Sequence, residues 1–409
     1  MYVLCELLID GTGHEGLKDG IVHVDEGMIK QVGQKGDFTI PQGATIIDGS
    51  GLTALPGLVD AHIHLTGRRK NDGVGQYDST LRVSRAIADA YNLLEHGVTA
   101  ARCCGSPYTP GIKRAIDEGT IIGPRFVTAG AYISQTCGHG DVHHLPFNWV
   151  QQIRVIADGV SACRQAVRQQ LRQGADFIKV MAGGGTSSQL DELEHPQFSS
   201  DELQAMVHEA HSAGKPIAAH AHGLTPIKHA LRCGVDVIEH GTAIDEAAAR
   251  TVVNSGRFIV RNCYTPIRVY EQTHAFTNQG EYSTWAFRRH KINYQHNQVS
   301  VKLCRQVGCK QAIGPDVTGC EPYDVIPQTM KAFMDLGGYT VLEAIACCTQ
   351  TGSEVMGLND NIGTLEKDKF ADLILVAGNP RHNIMDLASK TNIRLVMKGG
   401  RVIINRDIT

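Results

Sequence analysis

The sequence predicts an α/β protein in which a (β/α)8, TIM-like barrel is joined to a small β-sandwich domain. A unit of amphipathic helix, glycine and short apolar strand recurs along the middle of the chain. Short strands rich in Ile, Val and Ala that alternate with helices are typical of a parallel sheet. Eight such units favour a closed barrel. Both ends of the chain lack this alternation, and there the pattern indicates short strands separated by turns.

The barrel is predicted to span residues 58–362. Residues 1–57 and 363–409 contain strand patterns such as "VDEGMIKQVGQ" and "IRLVMKGGRVI", without helices between them. We therefore expect the two ends to pair into one β-sandwich domain beside the barrel.

The barrel strands are recognised by the glycine that ends each preceding helix and by the polar residue at which each strand stops. The eight predicted strands end at, or occupy, the following positions: His62–His64, Cys104, 123–133, Lys179, His220–His222, His240, Tyr264 and Asp316. A doubly wound open sheet is the alternative, but no Gly-x-Gly-x-x-Gly motif opens a helix. "MAGGGTSS" lacks the lysine of a P-loop, and we interpret it as a flexible βα loop.

Composition excludes several classes of function. The net charge is −3 and the isoelectric point is near 6.7, so no broad basic face for nucleic acid is implied. No run of eighteen apolar residues indicates a membrane span, and the N-terminal residues do not resemble a secretory signal. The chain is therefore expected in the cytoplasm, with its 12 cysteines as reduced thiols.

Catalytic groups of barrel enzymes lie at the carboxyl ends of the strands. Four histidines and one aspartate occupy those positions here, and they form a nitrogen–oxygen ligand set that suits zinc or a similar divalent ion. The set is His62, His64, His220, His240 and Asp316. Any one of them alone would be read as an ordinary polar residue, but their shared position at strand ends favours a metal site.

Lys179 stands in the apolar strand "FIKVM". It can be interpreted as a lysine whose head reaches solvent from a strand. The functional interpretation is a buried lysine whose neutral amine is nucleophilic. Such an amine can take up carbon dioxide and become a carbamate, an anionic group with two oxygens that is able to bridge two cations.

This pattern resembles the amidohydrolase superfamily over nearly the whole chain. The resemblance rests on "PGLVDAHIHL", "FIKVMAGGG", "AAHAHG", "VIEHG", "AIGPD" and "GTLEKDKFADLILV". It implies a hydrolase with two divalent ions, for which zinc is favoured. His62, His64 and Asp316 would hold the more buried ion, and His220 and His240 the other. A carboxylated Lys179 and a hydroxide would bridge both.

Within the superfamily, "SQTCGHGDVHH" and "HAHG" resemble the branch of prolidases and related Xaa-amino-acid dipeptidases, which cleave dipeptides or N-acyl amino acids. The resemblance implies that His139 contacts the reacting carbonyl oxygen and that His222 faces the substrate. It also implies that the bridging hydroxide attacks the amide while Asp316 acts as general acid and base. Tyr132 and Tyr264 lie near predicted strand ends and are candidates for binding a substrate carboxylate.

The polar and aromatic stretch 270–298 is expected to cover the barrel mouth, with His290 and His296 solvated. Two other activities stay open: hydrolysis of a cyclic amide or lactone at the same binuclear site, and deamination with a single metal. The deaminase class usually places a glutamate three residues after the histidine of the fifth strand, and Gly223 stands there. The expected partner is a small-molecule substrate, not nucleic acid or a membrane, and the sequence leaves formation of a homo-oligomer open.

Overall fold

The structure, a computed structural model, describes residues 1–67, 78–143, 145–275, 284–318 and 324–408. Residues 276–283 of the stretch predicted to cover the barrel mouth lie outside these ranges. The strands are β1 Tyr2–Leu8, β2 Leu17–Asp25, β3 Met28–Gln34, β4 Ile46–Pro56, β5 Leu58–His64, β6 Val98–Cys103, β7 Arg125–Thr128, β8 Ile133–Ser134, β9 Val155–Ile156, β10 Ile178–Met181, β11 Ile217–Ala221, β12 Val237–His240, β13 Phe258–Arg261, β14 Lys310–Ile313, β15 Val317–Thr318, β16 Leu373–Ala377, β17 Ile393–Lys398 and β18 Arg401–Asn405. The α-helices are α1 Ser79–Glu95, α2 Thr109–Asp117, α3 Phe147–Ile153, α4 Val160–Gln173, α5 Ser200–Ser212, α6 Leu224–Cys233, α7 Glu246–Asn254, α8 Tyr264–Ala275, α9 Thr284–Val307, α10 Val325–Gly337, α11 Val341–Cys348 and α12 Gln350–Val355.

Eight parallel strands form the barrel that the sequence predicts. β5, β6 and β7 pair in parallel in one sheet, and β10 to β14 pair in parallel in a second. Backbone hydrogen bonds join the two sheets at both seams, from Asp176 N to Thr128 O (2.7 Å) and from Asp316 N to His62 O (3.0 Å). The second seam places Asp316 directly beside β5, the first strand of the barrel.

The two chain ends share one seven-stranded sheet, in the order β18-β17-β16-β4-β1-β2-β3. Strand β4 lies at its centre, parallel to β1 and antiparallel to β16, so the N-terminal and C-terminal strands are hydrogen-bonded to each other as predicted. The structure shows this element as one sheet, and its description as a β-sandwich, like the exact domain limits, stays a prediction.

An ion pair fastens the terminal sheet to the barrel. Arg125, at the start of β7, donates to both carboxylate oxygens of the buried Asp372 at 2.8 and 3.1 Å. Its guanidinium also stacks on the Phe370 ring, 4.1 Å from the centroid. Asp372 accepts a third bond from the backbone nitrogen of Gly399 (2.6 Å), so one carboxylate ties three segments together.

Helix ends follow the local signals in the sequence. Ser199 and Glu202 form a reciprocal capping box at the start of α5. Gly174 and Gly234 end α4 and α6 in the left-handed conformation, with φ of 94° and 99°, which glycine adopts without strain. In the described part of the chain, no helix is long and apolar enough to cross a membrane, and all the cysteines there are free.

Candidate metal centre

The first corner of the site is formed by the end of β5 and the turn after β14. In a strand, residues two apart share a face, so His62 and His64 point the same way, and their Nε2 atoms lie 3.3 Å apart. Asp316 Oδ1 lies 3.4 Å from His62 Nε2 and 3.3 Å from His64 Nε2. Three potential ligand atoms therefore face one point.

The second corner is formed by the ends of β11 and β12. His220 Nδ1 lies 2.9 Å from His240 Nε2, and both rings are buried. The register pairs His220 with Glu239 and Ala221 with His240. The His62 and His240 rings are 5.2 Å apart, so the two corners adjoin.

The backbone is left-handed at two of these residues. His240 has φ of 71° and Asp316 has φ of 59°, in a region that residues other than glycine rarely adopt. Such strain persists where the surrounding structure imposes it, and it clusters at functional sites. This left-handed conformation occurs at the last residue of β12 and in the turn after β14, and both side chains face the site.

Lys179 lies on β10 and is 1% exposed. Among the residues that the structure describes, its Nζ has no hydrogen-bond partner, which is costly for a buried polar group. Burial, followed by nearby charges that include Lys179, lowers the pKa of His220 well below the usual value. The lysine therefore faces the histidines, without a carboxylate bonded to it.

The cluster favours neutral imidazoles beside an ionised carboxylate. Burial is the main cause of the lowered pKa of His62. Burial also lowers the pKa of His240 to about 3. Burial alone would raise the pKa of Asp316, but His62 and His64 outweigh it and hold that pKa well below its ordinary range. Neutral imidazole and carboxylate are the forms in which these side chains bind a metal.

The flanking candidates stand beside the cluster with one exception. The His139 ring stacks on His220 (centroids 4.3 Å apart), and the His222 ring stacks on His240 (4.4 Å). Tyr132 lies edge-on to His64 at 6.2 Å. Tyr264 begins α8 and is half-buried, and no hydrogen bond or ring contact among the described residues joins its side chain to the cluster.

Two sequence predictions need correction. Residues Gly183–Gly185 do not form a loose βα loop: they are buried, and a Cβ on Gly185 would lie 2.0 Å from the His139 ring. His290 was expected to be solvated, but burial in α9 lowers its pKa to about 4. His296 is exposed, as expected.

Comparison with known proteins decides the family. The model of the amidohydrolase family matches residues 53–403. The chain belongs to the amidohydrolase family. Ochratoxinase of Aspergillus niger is 29% identical over 97% of this chain and 85% of its own. Two solved structures each match 99% of this chain over 99% of their own chain. A prolidase complexed with N-methylphosphonate-L-proline has a TM-score of 0.87 at 28% identity. A Xaa-Pro dipeptidase with bound methionine in its active site has a TM-score of 0.88 at 26% identity.

The residues of this amidohydrolase fit the divalent ions that its family generally uses. The Lys179 Nζ has no hydrogen-bond partner among the described residues, and the facing nitrogens His220 Nδ1 and His240 Nε2 lie 2.9 Å apart, close enough to bind one ion together. The atoms of His62, His240 and Asp316 form one group compact enough for an ion, and those of His220, His222 and His240 form another. The set of imidazole and carboxylate ligands suits zinc and similar ions.

Sequence reasoning missed the buried ion pair that supports this amidohydrolase site. Glu239 Oε2 lies 2.7 Å from His62 Nδ1, and its Oε1 accepts from Arg102 Nη1 at 2.6 Å. Burial alone would raise the pKa of Glu239, but Arg102, Lys179 and His62 hold it well below its usual value. A lone charge in each of the apolar strands "TAARC" and "VIEH" was the available signal, because buried charges need partners.

Proposed function

We propose that the chain is a metal-dependent hydrolase of the C–N amide bond in a small carboxylated substrate, a dipeptide or an N-acyl amino acid. The observation that carries the proposal is the meeting of six side chains from five segments, one of which is Lys179 with its unpartnered amine. The dipeptidase named among the structural neighbours supports the substrate class.

In this proposal two divalent ions, with zinc favoured, occupy the site. His62, His64 and Asp316 would hold one, His220 and His240 the other, and a carbamate on Lys179 would bind both. When bound, such ions make water nucleophilic near neutral pH and polarise a carbonyl. Glu239 would then hold the His62 ring through Nδ1, as carboxylates commonly do behind a metal-binding histidine.

Asp316 is the proposed proton carrier. Its carboxylate is held in the ionised form by His62 and His64, although burial opposes this, as the lowered pKa indicates. It would accept the proton of the attacking water and deliver it to the leaving nitrogen as the C–N bond breaks. General acid–base catalysis of this kind contributes roughly 10²–10⁴-fold in rate.

Substrate contacts are assigned to the residues that flank the ligands. His139 would bind the carbonyl oxygen as it gains negative charge, since its ring lies against His220. His222 and Tyr132 would face the substrate carboxylate, and Tyr264 is retained as a further candidate. Thr242 (2.8 Å) and Asn293 (3.2 Å) both contact Nδ1 of His222, which leaves Nε2 for the substrate.

Hydrolysis of a cyclic amide or lactone at the same centre is the alternative. A mononuclear deaminase is disfavoured by the site as well as by sequence. At residue 223, where that class usually has a glutamate, a Cβ would lie 2.3 Å from the Leu193 carbonyl oxygen. A cytoplasmic location and self-assembly stay predictions.

The test combines metal analysis with a substrate screen. We expect about two equivalents of metal per chain and turnover of some dipeptides or N-acyl amino acids. The Asp316→Asn variant, whose amide oxygen can still bind a metal ion, should lose roughly 10²–10⁴-fold in kcat when assayed with saturating metal. Turnover of cyclic amides or lactones alone would overturn the substrate class, and near-wild-type turnover by Asp316→Asn with metal bound would overturn the role of Asp316.

A further inference from the structure

A hydrogen-bonded chain leads from His139 away from the metal centre. His139 Nδ1 lies 2.8 Å from the Ser188 hydroxyl oxygen, and the Ser188 hydroxyl donates to Asp191 Oδ1 at 2.6 Å. Gln197 makes a second connection, because its Oε1 accepts from His139 N (3.0 Å) while its Nε2 donates to Asp191 Oδ2 (3.2 Å). His139 is thus held both by its ring and by its backbone, and both connections end on Asp191.

Arg289 of α9 anchors the far end of this chain. It is 1% exposed and projects from α9 towards the loop after β10. Its Nη1 donates to Gly185 O (3.1 Å), to Ser188 O and to Asp191 Oδ1 (3.3 Å), and its Nη2 donates to Asp191 O. One guanidinium therefore fixes the loop after β10 through at least three residues.

The packing gives the His139 ring little freedom to move independently of this loop. His220 covers one part of the ring, at 4.3 Å between centroids. Gly185 approaches it so closely that an added Cβ would meet ring atoms at 2.0 to 2.5 Å. Because the Ser188 hydroxyl gives its proton to Asp191, His139 Nδ1 is the donor to the Ser188 oxygen. Nε2 is the ring nitrogen left to meet a substrate, and it donates to a carbonyl oxygen when the His139 ring is in its imidazolium form. A shift of residues 185–191 would therefore displace Nε2.

We infer that Asp191 and Arg289 are positioning residues for the reaction. Asp191 sets the orientation of His139 through its hydrogen bonds with Ser188 and Gln197. Arg289 couples the position of α9 to this hydrogen-bonded network. The inference rests on the proposed function, in which His139 binds the carbonyl oxygen. Asn293, one helical turn after Arg289, contacts His222. One face of α9 thus supports both the histidine assigned to the carbonyl oxygen and the histidine assigned to the substrate carboxylate.

The kinetic test uses Asp191→Ala and Arg289→Met in the metal-loaded full chain, with the best dipeptide from the screen. We expect kcat to fall roughly 10–100-fold while KM and metal content change little, the usual effect of removing a support behind a functional histidine. In a His139→Ala background, Asp191→Ala should lower kcat by no more than about twofold, because the effects of residues that act as a unit are not additive. A full additional loss in that background would overturn the inference.

Two matched variants control for loss of stability. Asp372→Asn removes a buried carboxylate that is also bonded to an arginine, but at the terminal sheet. Arg305→Met removes an arginine of the same helix α9 whose partner is Glu343 (2.9 Å). Both are expected to lower the melting temperature while leaving kcat within about twofold. An effect on kcat equal to that of Asp191→Ala would mean that destabilisation alone explains the loss.

A crystal structure of Asp191→Ala separates this inference from the proposed function. We expect the His139 ring to leave its stacked position on His220, whatever the substrate proves to be. An unmoved ring would overturn the positioning role. Absence of dipeptide or N-acyl amino acid turnover in the wild type, together with a displaced ring in the variant, would overturn the proposed substrate and leave the positioning intact.

Discussion

Replacing Arg102 by methionine tests the ion pair behind the metal centre. Arg102 Nη1 lies 2.6 Å from Glu239 Oε1, and the two side chains are 1% and 0% exposed. At that distance the attraction is about 6 kcal/mol for an effective dielectric constant of about 20. Removing one partner of a buried ion pair lowers the free energy of unfolding by roughly 3–5 kcal/mol, because the other charge is left buried without a partner. Methionine retains much of the packing against Phe177, whose ring centre lies 3.9 Å from the guanidinium carbon.

The measurement is guanidinium-induced unfolding of metal-free protein, followed by metal titration. We expect Arg102→Met to lower the free energy of unfolding by about 3–5 kcal/mol and to weaken metal binding roughly 10–100-fold, since Glu239 also orients His62. The double variant with Glu239→Gln should recover part of the lost stability, because no uncompensated carboxylate is left. A double variant less stable than Arg102→Met alone would show that the stranded Glu239 charge is not the cause of the loss.

Three further outcomes are expected. Arg125→Ala should lower the free energy of unfolding by about 3 kcal/mol without changing KM, since Asp372 is buried at the terminal sheet; calorimetry and kinetics check this, and an altered KM would contradict it. Gly185→Ala should lower kcat roughly tenfold or more with metal retained, because the new Cβ displaces the His139 ring; unchanged kcat would contradict the tight fit. Metal-free protein should lose stability on acidification from pH 6.5 towards 3. Burial lowers the pKa of His240 to about 3, so the unfolded chain binds more protons in that window and stability is full only above it. Denaturant melts at several pH values check this, and stability that rises on acidification would refute it.

The barrel and the ligand candidates could be predicted from sequence because each depends on local pattern. The repeated helix–glycine–strand unit fixes the direction of each strand. All carboxyl ends of a parallel barrel meet at one face, so residues at strand ends, such as His62, His220 and His240, must lie near each other. Pairing of the terminal strands followed from their lack of helices.

The supports of the site could not be predicted in the same way. Asp191, Ser188 and Arg289 meet only because α9 lies across the loop after β10, more than ninety residues away in sequence. Nothing in the polar pattern of α9 distinguishes the buried Arg289 from the exposed Arg288. The run of glycines after β10 indicated freedom of the loop, whereas the packing requires small residues there.

The binuclear centre itself is tested by a crystal structure of zinc-loaded protein with anomalous diffraction data. We expect two anomalous peaks, one contacting His62, His64 and Asp316 and the other His220 and His240, with additional density extending from Lys179 Nζ between them. Fully loaded, active protein whose metal lies away from these side chains, or whose Lys179 is unmodified and turned from the ions, would contradict this expectation.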